Sequence, residues 1–193
     1  MPPPPLNAVW RKAQRQRLIA ERLAIADDAR AAASAAIEST LIARFPPGRW
    51  PIVAGYWPMR GEFDPLPYLR RVIDAGGAVA LPVVTPKAPL AFRLWTPDAP
   101  MEVGVWDIPY PAKGAPVTPS ALLIPLVGFD AANHRLGNGG GYYDRTLAAL
   151  TPRPIAIGVG FEVGRLGSIA PATHDQRMDI IITEAGAFSQ QTD

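Results

Sequence analysis

Cysteine is absent from the 193 residues. Disulfides, thiolate metal sites and thiol nucleophiles are therefore excluded. Histidine occurs only twice, too few for a multi-histidine metal cage. No apolar run reaches the length needed to span a bilayer. The opening Met1-Pro2-Pro3-Pro4-Pro5 lacks the basic and apolar parts of a signal peptide. These absences set the expectation of a cytoplasmic protein with no membrane partner. Charge of one sign is also scarce. Lys and Arg number 19 against 17 Asp and Glu, a formal net charge of +2. The arginines form no single basic block, so nucleic acid is not an expected partner. Glycine and proline, by contrast, are abundant, at 17 and 23. That composition calls for many turns and short elements and argues against a helical bundle. The length suits one compact domain, expected over residues 7–193 behind an extended tail at 1–6.

Periodicity organises the rest. From about Asn7 the chain reads as helix, with Arg11, Arg15, Leu18, Arg22 and Ile25 on one broad face. A second helix is expected from a cap near Asp27 or Asp28 to about Ala43, stopped by Pro46-Pro47-Gly48. Ile52 to Trp57 reads as a buried strand. Asp64-Pro65 opens a helix that should end at Gly76-Gly77. Further strands are expected at Ala78–Val84, Leu90–Trp95, Ala121–Val127, Ile155–Phe161 and Asp179–Thr183. A last helix should run from Tyr142 to Leu150. The Pro-rich stretch from Thr96 to Ser120 reads as loops that cover one end of the sheet. Strands alternating with helices predict an α/β fold with a mostly parallel sheet, whose ligands sit at the carboxyl ends of the strands.

The segment from Gly128 to Arg145 lies between an expected strand and an expected helix. Within it, Gly137, Gly139, Gly140 and Gly141 remove side chains where a backbone must approach something closely. Successive backbone N–H groups and the following helix N-terminus can line an anion. Arg135 and Arg145 add positive charge, and Asp144 is a hard oxygen ligand suited to Mg²⁺ on a phosphate. The spacing is neither the Walker loop nor the dinucleotide fingerprint. A phosphate site and a plain strand-to-helix turn are both open from these residues alone. Glu62 falls at a strand end, and His174-Asp175 falls in a polar loop. Arg11 and Arg15 stand one helical turn apart and could clamp a phosphate tail. Trp57, Tyr142 and Tyr143 could stack on a planar heterocycle. Each of these residues also has an ordinary structural reading.

Arg135-Leu136-Gly137-x-Gly139-x-Gly141-Tyr142-Tyr143-Asp144 resembles the signature of the 5-formyltetrahydrofolate cyclo-ligase family, also called methenyltetrahydrofolate synthetases. Ile124-Pro125, Phe129-Asp130, Arg11 with Arg15, and Glu62 fit the same family. So do His174-Asp175, Met178-Asp179 and Ile182-Thr183-Glu184. The resemblance implies a three-layer α/β/α sandwich. It implies an ATP- and Mg²⁺-dependent closure of 5-formyltetrahydrofolate, with or without a polyglutamate tail, to 5,10-methenyltetrahydrofolate by a monomer. By position, the ATP site would take Arg11, Lys12, Arg15, Arg135, Leu136, Gly137, Asn138, Gly139, Gly140, Gly141, Tyr142 and Tyr143. The folate site would take Trp57, Glu62, Asn138, Gly139, Gly140, Gly141 and Tyr142. Asp144 and Asp175 would carry Mg²⁺, and Arg135, Tyr142 and Asp144 would act in catalysis. Asn138 stands where many family members carry Tyr or Arg. Tyr110-Pro111 replaces a common Glu-Pro, and Glu162 to Arg165 lacks a frequent Gln. These departures leave two other readings, a paralogue that binds nucleotide and a pterin without turnover, and a different enzyme on a related α/β fold.

Overall fold

The computed structural model describes residues 8–189. The expected tail at 1–6 and the expected helix start at Asn7 lie outside the described residues. Among the described residues, eight strands form one sheet. Its middle is parallel: β1 (Ile52–Ala54), β2 (Ala78–Val83), β7 (Ala121–Pro125), β10 (Ile155–Val159) and β11 (Ile180–Thr183). β7 lies between β10 and β1, and Ala121 to Ile124 are fully buried. A strand covered on both faces needs such a continuous apolar run.

Two helices cover one face. α2 (Asp27–Arg44) contributes Ile37 and Leu41, and α3 (Leu66–Asp74) contributes Tyr68, Leu69 and Val72. α4 (Tyr142–Ala149) covers the other face through Leu147, packed with Leu122, Ile124 and Phe92. The expected α/β/α layering is therefore present. α1 (Ala8–Leu23) lies apart from these layers. Its Leu18 joins Val127, Leu136 and Ile169 beside the loops that follow the central strands.

The differences from the sequence reading have physical causes. α2 has Ala26 at its N-cap, and Asp27 and Asp28 sit in its first turn, where they favour the positive end of the helix dipole. Asp64 stands two residues before α3 and accepts the Leu66 N–H at 2.9 Å. β1 stops at Ala54 rather than Trp57; Gly55 still donates to the Ala80 carbonyl, and Tyr56 and Trp57 then line the cleft described below. The stretch from Thr96 to Ser120 is not all loop. β4 (Met101–Val103) and β5 (Pro109–Pro111) form an antiparallel hairpin. β6 (Pro116–Val117) adds to the sheet edge beyond β3 (Ala91–Trp95). At the other edge β12 (Gly186–Phe188) pairs antiparallel with β11. The segment between β7 and α4 contains a short ribbon, β8 (Gly128–Phe129) with β9 (Arg135–Leu136).

Candidate active site

A cleft of about 460 Å³ opens where the parallel strands end. Its floor is Tyr56 and Trp57 after β1, Pro82 in β2 and Pro125 at the end of β7. That is the carboxyl edge, where α/β sheets place their ligands. One wall is the glycine loop, Gly137 to Gly141. The loop reverses direction with φ of +97° at Gly139 and +64° at Gly141, left-handed values that glycine adopts most readily. Gly141 is the N-cap of α4. The first-turn N–H groups of that helix have no intrahelical partner, so they remain available to an anion.

Three side chains pin this loop. Arg15 Nε donates to the Gly137 carbonyl at 2.8 Å, and Arg145 Nη2 donates to the Gly140 carbonyl at 2.9 Å. Asn138 Nδ2 donates to Glu62 Oε1 at 3.1 Å, a bond between residues 76 positions apart. The second Glu62 oxygen accepts the Met59 N–H at 3.1 Å. Glu62 is 9% exposed. Burial raises its carboxyl above the ordinary range, and the bonds from Asn138 and Met59, with Arg22 and Arg60 nearby, offset part of that shift.

The phosphate-suited residues gather on the other side. Arg11 grips Asp175 with two nitrogens, at 3.0 and 3.3 Å. Asp175 also accepts the Ala172 N–H at 2.7 Å. Burial pushes the Asp175 carboxyl up, but Arg11 and the Ala172 N–H outweigh it, so the group titrates below the usual range. Arg135 Nη2 donates to Asp144 Oδ2 at 3.0 Å, and the Gln176 N–H donates to Asp144 Oδ1 at 3.0 Å. The two carboxylates are thus neighbours, joined through residue 176. Arg135 also lies over the Tyr143 ring, 5.4 Å from its centre. Burial drives the Tyr143 phenol well up, so it stays protonated. Arg15 lies below the usual guanidinium range, through burial and then the like charge of Arg11.

Among the described residues no three His, Cys, Asp or Glu side chains converge to hold a metal. Mg²⁺ commonly rests on one or two carboxylates, with phosphate oxygens and water completing its shell. Asp144 fits that pattern, because each of its oxygens accepts one bond and keeps a lone pair. Asp175 would have to give up part of its grip on Arg11.

The structure therefore brings Arg11, Arg15, Trp57, Glu62, Arg135, Gly137 to Tyr143, Asp144 and Asp175 to one cleft. It does not bring Lys12 or the Leu136 side chain there. Lys12 is exposed, and Leu136 is wholly buried against Leu18 and Ile169. Sequence reasoning missed Trp106, which reaches the cleft from the β4–β5 hairpin and meets the Tyr142 ring edge-on at 5.5 Å. No periodicity marks that Pro-rich segment. It also missed Met59 and Arg60.

Among the described residues no helix is long and apolar enough to cross a membrane. The model of the 5-formyltetrahydrofolate cyclo-ligase family matches residues 7–184. A 5-formyltetrahydrofolate cyclo-ligase of Mycolicibacterium smegmatis is 32% identical over 142 residues, covering 68% of this chain and 72% of that protein. The Haemophilus influenzae protein of the same name is 31% identical over 63% of this chain and 69% of its own length. The Mycoplasma pneumoniae counterpart is 43% identical, but over 63 residues, so the chain spans only 38% of that relative. In three dimensions the chain resembles the 5,10-methenyltetrahydrofolate synthetase of Aquifex aeolicus, with a TM-score of 0.82. The identity there is 24%, and the match covers 95% of this chain and 94% of that one.

Proposed function

The chain belongs to the 5-formyltetrahydrofolate cyclo-ligase family, and from that membership we propose that it closes 5-formyltetrahydrofolate to 5,10-methenyltetrahydrofolate with ATP as co-substrate. The observation that carries the reading is the two-sided cleft. Arg11, Arg15 and Arg135 stand at the glycine loop, and the buried Glu62 stands across it.

The chemistry asks for those groups. The formyl oxygen is a poor leaving group. Its attack on the γ-phosphorus of ATP forms an O–P bond and releases ADP. N10 then attacks the activated carbon and loses its proton, and phosphate departs with the former formyl oxygen. Phosphoryl transfer needs positioning and charge neutralisation rather than a side-chain nucleophile. The arginines and the loop N–H groups supply both. Tyr142 and Tyr143 open α4 beside the phosphates, with Arg135 held over Tyr143. Asp144 would hold Mg²⁺, with Asp175 beside it as the second carboxylate. When bound, the ion would neutralise phosphate charge. Glu62 has lone pairs beyond the two already used and suits paired N–H donors of a pterin. Trp57 lines the same side. One domain from residue 7 onward, acting as a monomer in the cytoplasm, is part of the same proposal.

Purified protein mixed with 5-formyltetrahydrofolate, Mg²⁺ and ATP should develop the near-UV absorbance of a methenyl folate, and omission of any component should abolish it. Protein that binds ATP yet gives no chromophore would refute the reading in favour of a binding-only paralogue. Glu62→Gln should raise the folate KM by about tenfold or more and leave the ATP KM nearly unchanged. An equal rise in both would remove Glu62 from the folate side.

A further inference from the structure

Glu62 sits at the end of a strained turn. Met59 accepts the Glu62 N–H at 3.0 Å, and both central residues have positive φ, +49° at Arg60 and +70° at Gly61. This is the pattern of a type I′ turn, which favours Asn, Asp or Gly at its first central position. Arg60 is a poor choice there, and such strain persists only where the surroundings over-determine it. Two arginines do so. Arg22 Nε donates to the Arg60 carbonyl at 3.1 Å, and Arg30 Nη1 donates to the Gly61 carbonyl at 2.9 Å. Each central carbonyl of the turn thus has its own guanidinium.

Arg22 is 3% exposed. A buried cation calls for compensation by hydrogen bonds and an opposite charge. Arg22 Nη1 donates to the Leu126 carbonyl at 3.0 Å, just past β7, while its Nη2 is buried without a partner. The Arg22 backbone carbonyl in turn accepts a bond from Arg30. Glu62 is the acidic side chain that acts on Arg22. Arg22 therefore joins α1, the end of the central strand and the turn that presents Glu62.

We propose that Arg22 and Arg30 are positioning residues for the folate side of the cleft. They hold the Arg60-Gly61 turn so that Glu62 meets the substrate. This rests on the assignment of Glu62 to the folate. The other groups facing Glu62 are Arg60 from its own turn, Tyr56 beyond β1, Tyr143 from α4 and the Asn138 amide. Of these, Arg60 is exposed and adds its positive charge from the surface.

The test compares Arg22→Met, Arg22→Lys, Arg30→Met and Glu62→Gln by steady-state kinetics from pH 5 to 9. Arg22→Met should raise the folate KM by roughly tenfold or more, leave the ATP KM within about twofold, and move the acid limb of kcat/KM for folate upward. Arg22→Lys returns the charge and should restore most of that limb. Arg30→Met should raise the folate KM without moving the limb, because Arg30 acts on the turn rather than on the carboxylate. Arg30 is only half-buried, so its variant reports even if Arg22→Met fails to fold. If Glu62→Gln weakens folate while Arg30→Met leaves the folate KM unchanged, the positioning role is overturned. The same holds if folate and ATP KM rise together. If Glu62→Gln leaves folate untouched, the assignment of Glu62 falls and this inference with it.

Discussion

Replacing Asp144 with Asn should damage the fold as well as the chemistry. The Arg135 and Asp144 side chains are 5% and 14% exposed, so the pair is buried, and Arg135 Nε already lies buried without a partner. Removing one member of a buried pair typically costs about 3–5 kcal/mol. Asn keeps one acceptor, but two donors approach from opposite sides, Arg135 Nη2 and the Gln176 N–H. One of them must then face the Asn N–H₂ group. Because the amide still accepts from one of the two donors, we expect a loss just below that range, about 2–3 kcal/mol. At roughly 2–4 °C per kcal/mol for a chain of this size, the melting temperature should fall by about 4–12 °C. Arg135→Met should cost less, about 1–3 kcal/mol, because Asp144 keeps its backbone donor and some water. The double variant removes both charges, so it should recover about 1–2 kcal/mol against the sum of the single losses. Urea unfolding of the four proteins measures that coupling, and turnover measures function. The double variant should regain stability and remain inactive, because under the proposed assignment it lacks both the guanidinium that would face phosphate and the carboxylate that would hold Mg²⁺. Effects that add within about 0.5 kcal/mol would refute the pairing argument. Recovered turnover would refute the catalytic one.

Two further outcomes follow from single groups. Burial raises the Glu62 carboxyl above its unfolded value. Its contribution to stability is therefore present at low pH and lost as pH rises through the folded titration. Folate binding through the ionised carboxylate should strengthen over the same interval. Opposite trends in wild-type protein, with the stability trend flattened in Glu62→Gln, would bear this out, and parallel trends would contradict it. Tyr68 is buried and donates its hydroxyl to the Phe45 carbonyl at 2.8 Å, far from the cleft. Tyr68→Phe should lower the melting temperature by about 2–8 °C and leave kcat unchanged. A change in kcat would mean that the helical face communicates with the site.

The parallel strands and the glycine loop were legible because local sequence decides them. Ala121 to Ile124 form an unbroken apolar run, and a cluster of glycines has few uses other than close backbone approach. The edges of the sheet were not legible. β6 is two residues long and includes Pro116, and β12 is Gly-Ala-Phe, so neither carries alternation. Both exist because a neighbouring strand offers free hydrogen-bonding groups. Asn138 and Glu62 are 76 positions apart, and no periodicity connects them. Arg22 shows the same blindness in a different form. An arginine on an amphipathic helix reads as solvated, and only the tertiary placement of α1 reveals that its face is interior. Leu18 and Ile25, which flank it on that face, were the available hints.

The placement of α1 also bears on the order in which the site comes into being. Its residues leave the ribosome before those of the sheet, yet Arg11 finds Asp175 164 residues later and Arg15 finds Gly137 122 residues later. Only Leu18 and Arg22 of its sixteen residues are buried. The helix is lightly fastened beside a sheet that owes it little, so it can open as a unit far more often than the whole chain unfolds. Each opening carries away Arg11 and Arg15, the arginines proposed for the nucleotide side, while the strands keep their pairing. Amide hydrogens of α1 should then exchange faster than those of β7. Under the proposed assignment of Arg11 and Arg15 to the nucleotide, added ATP should slow them selectively.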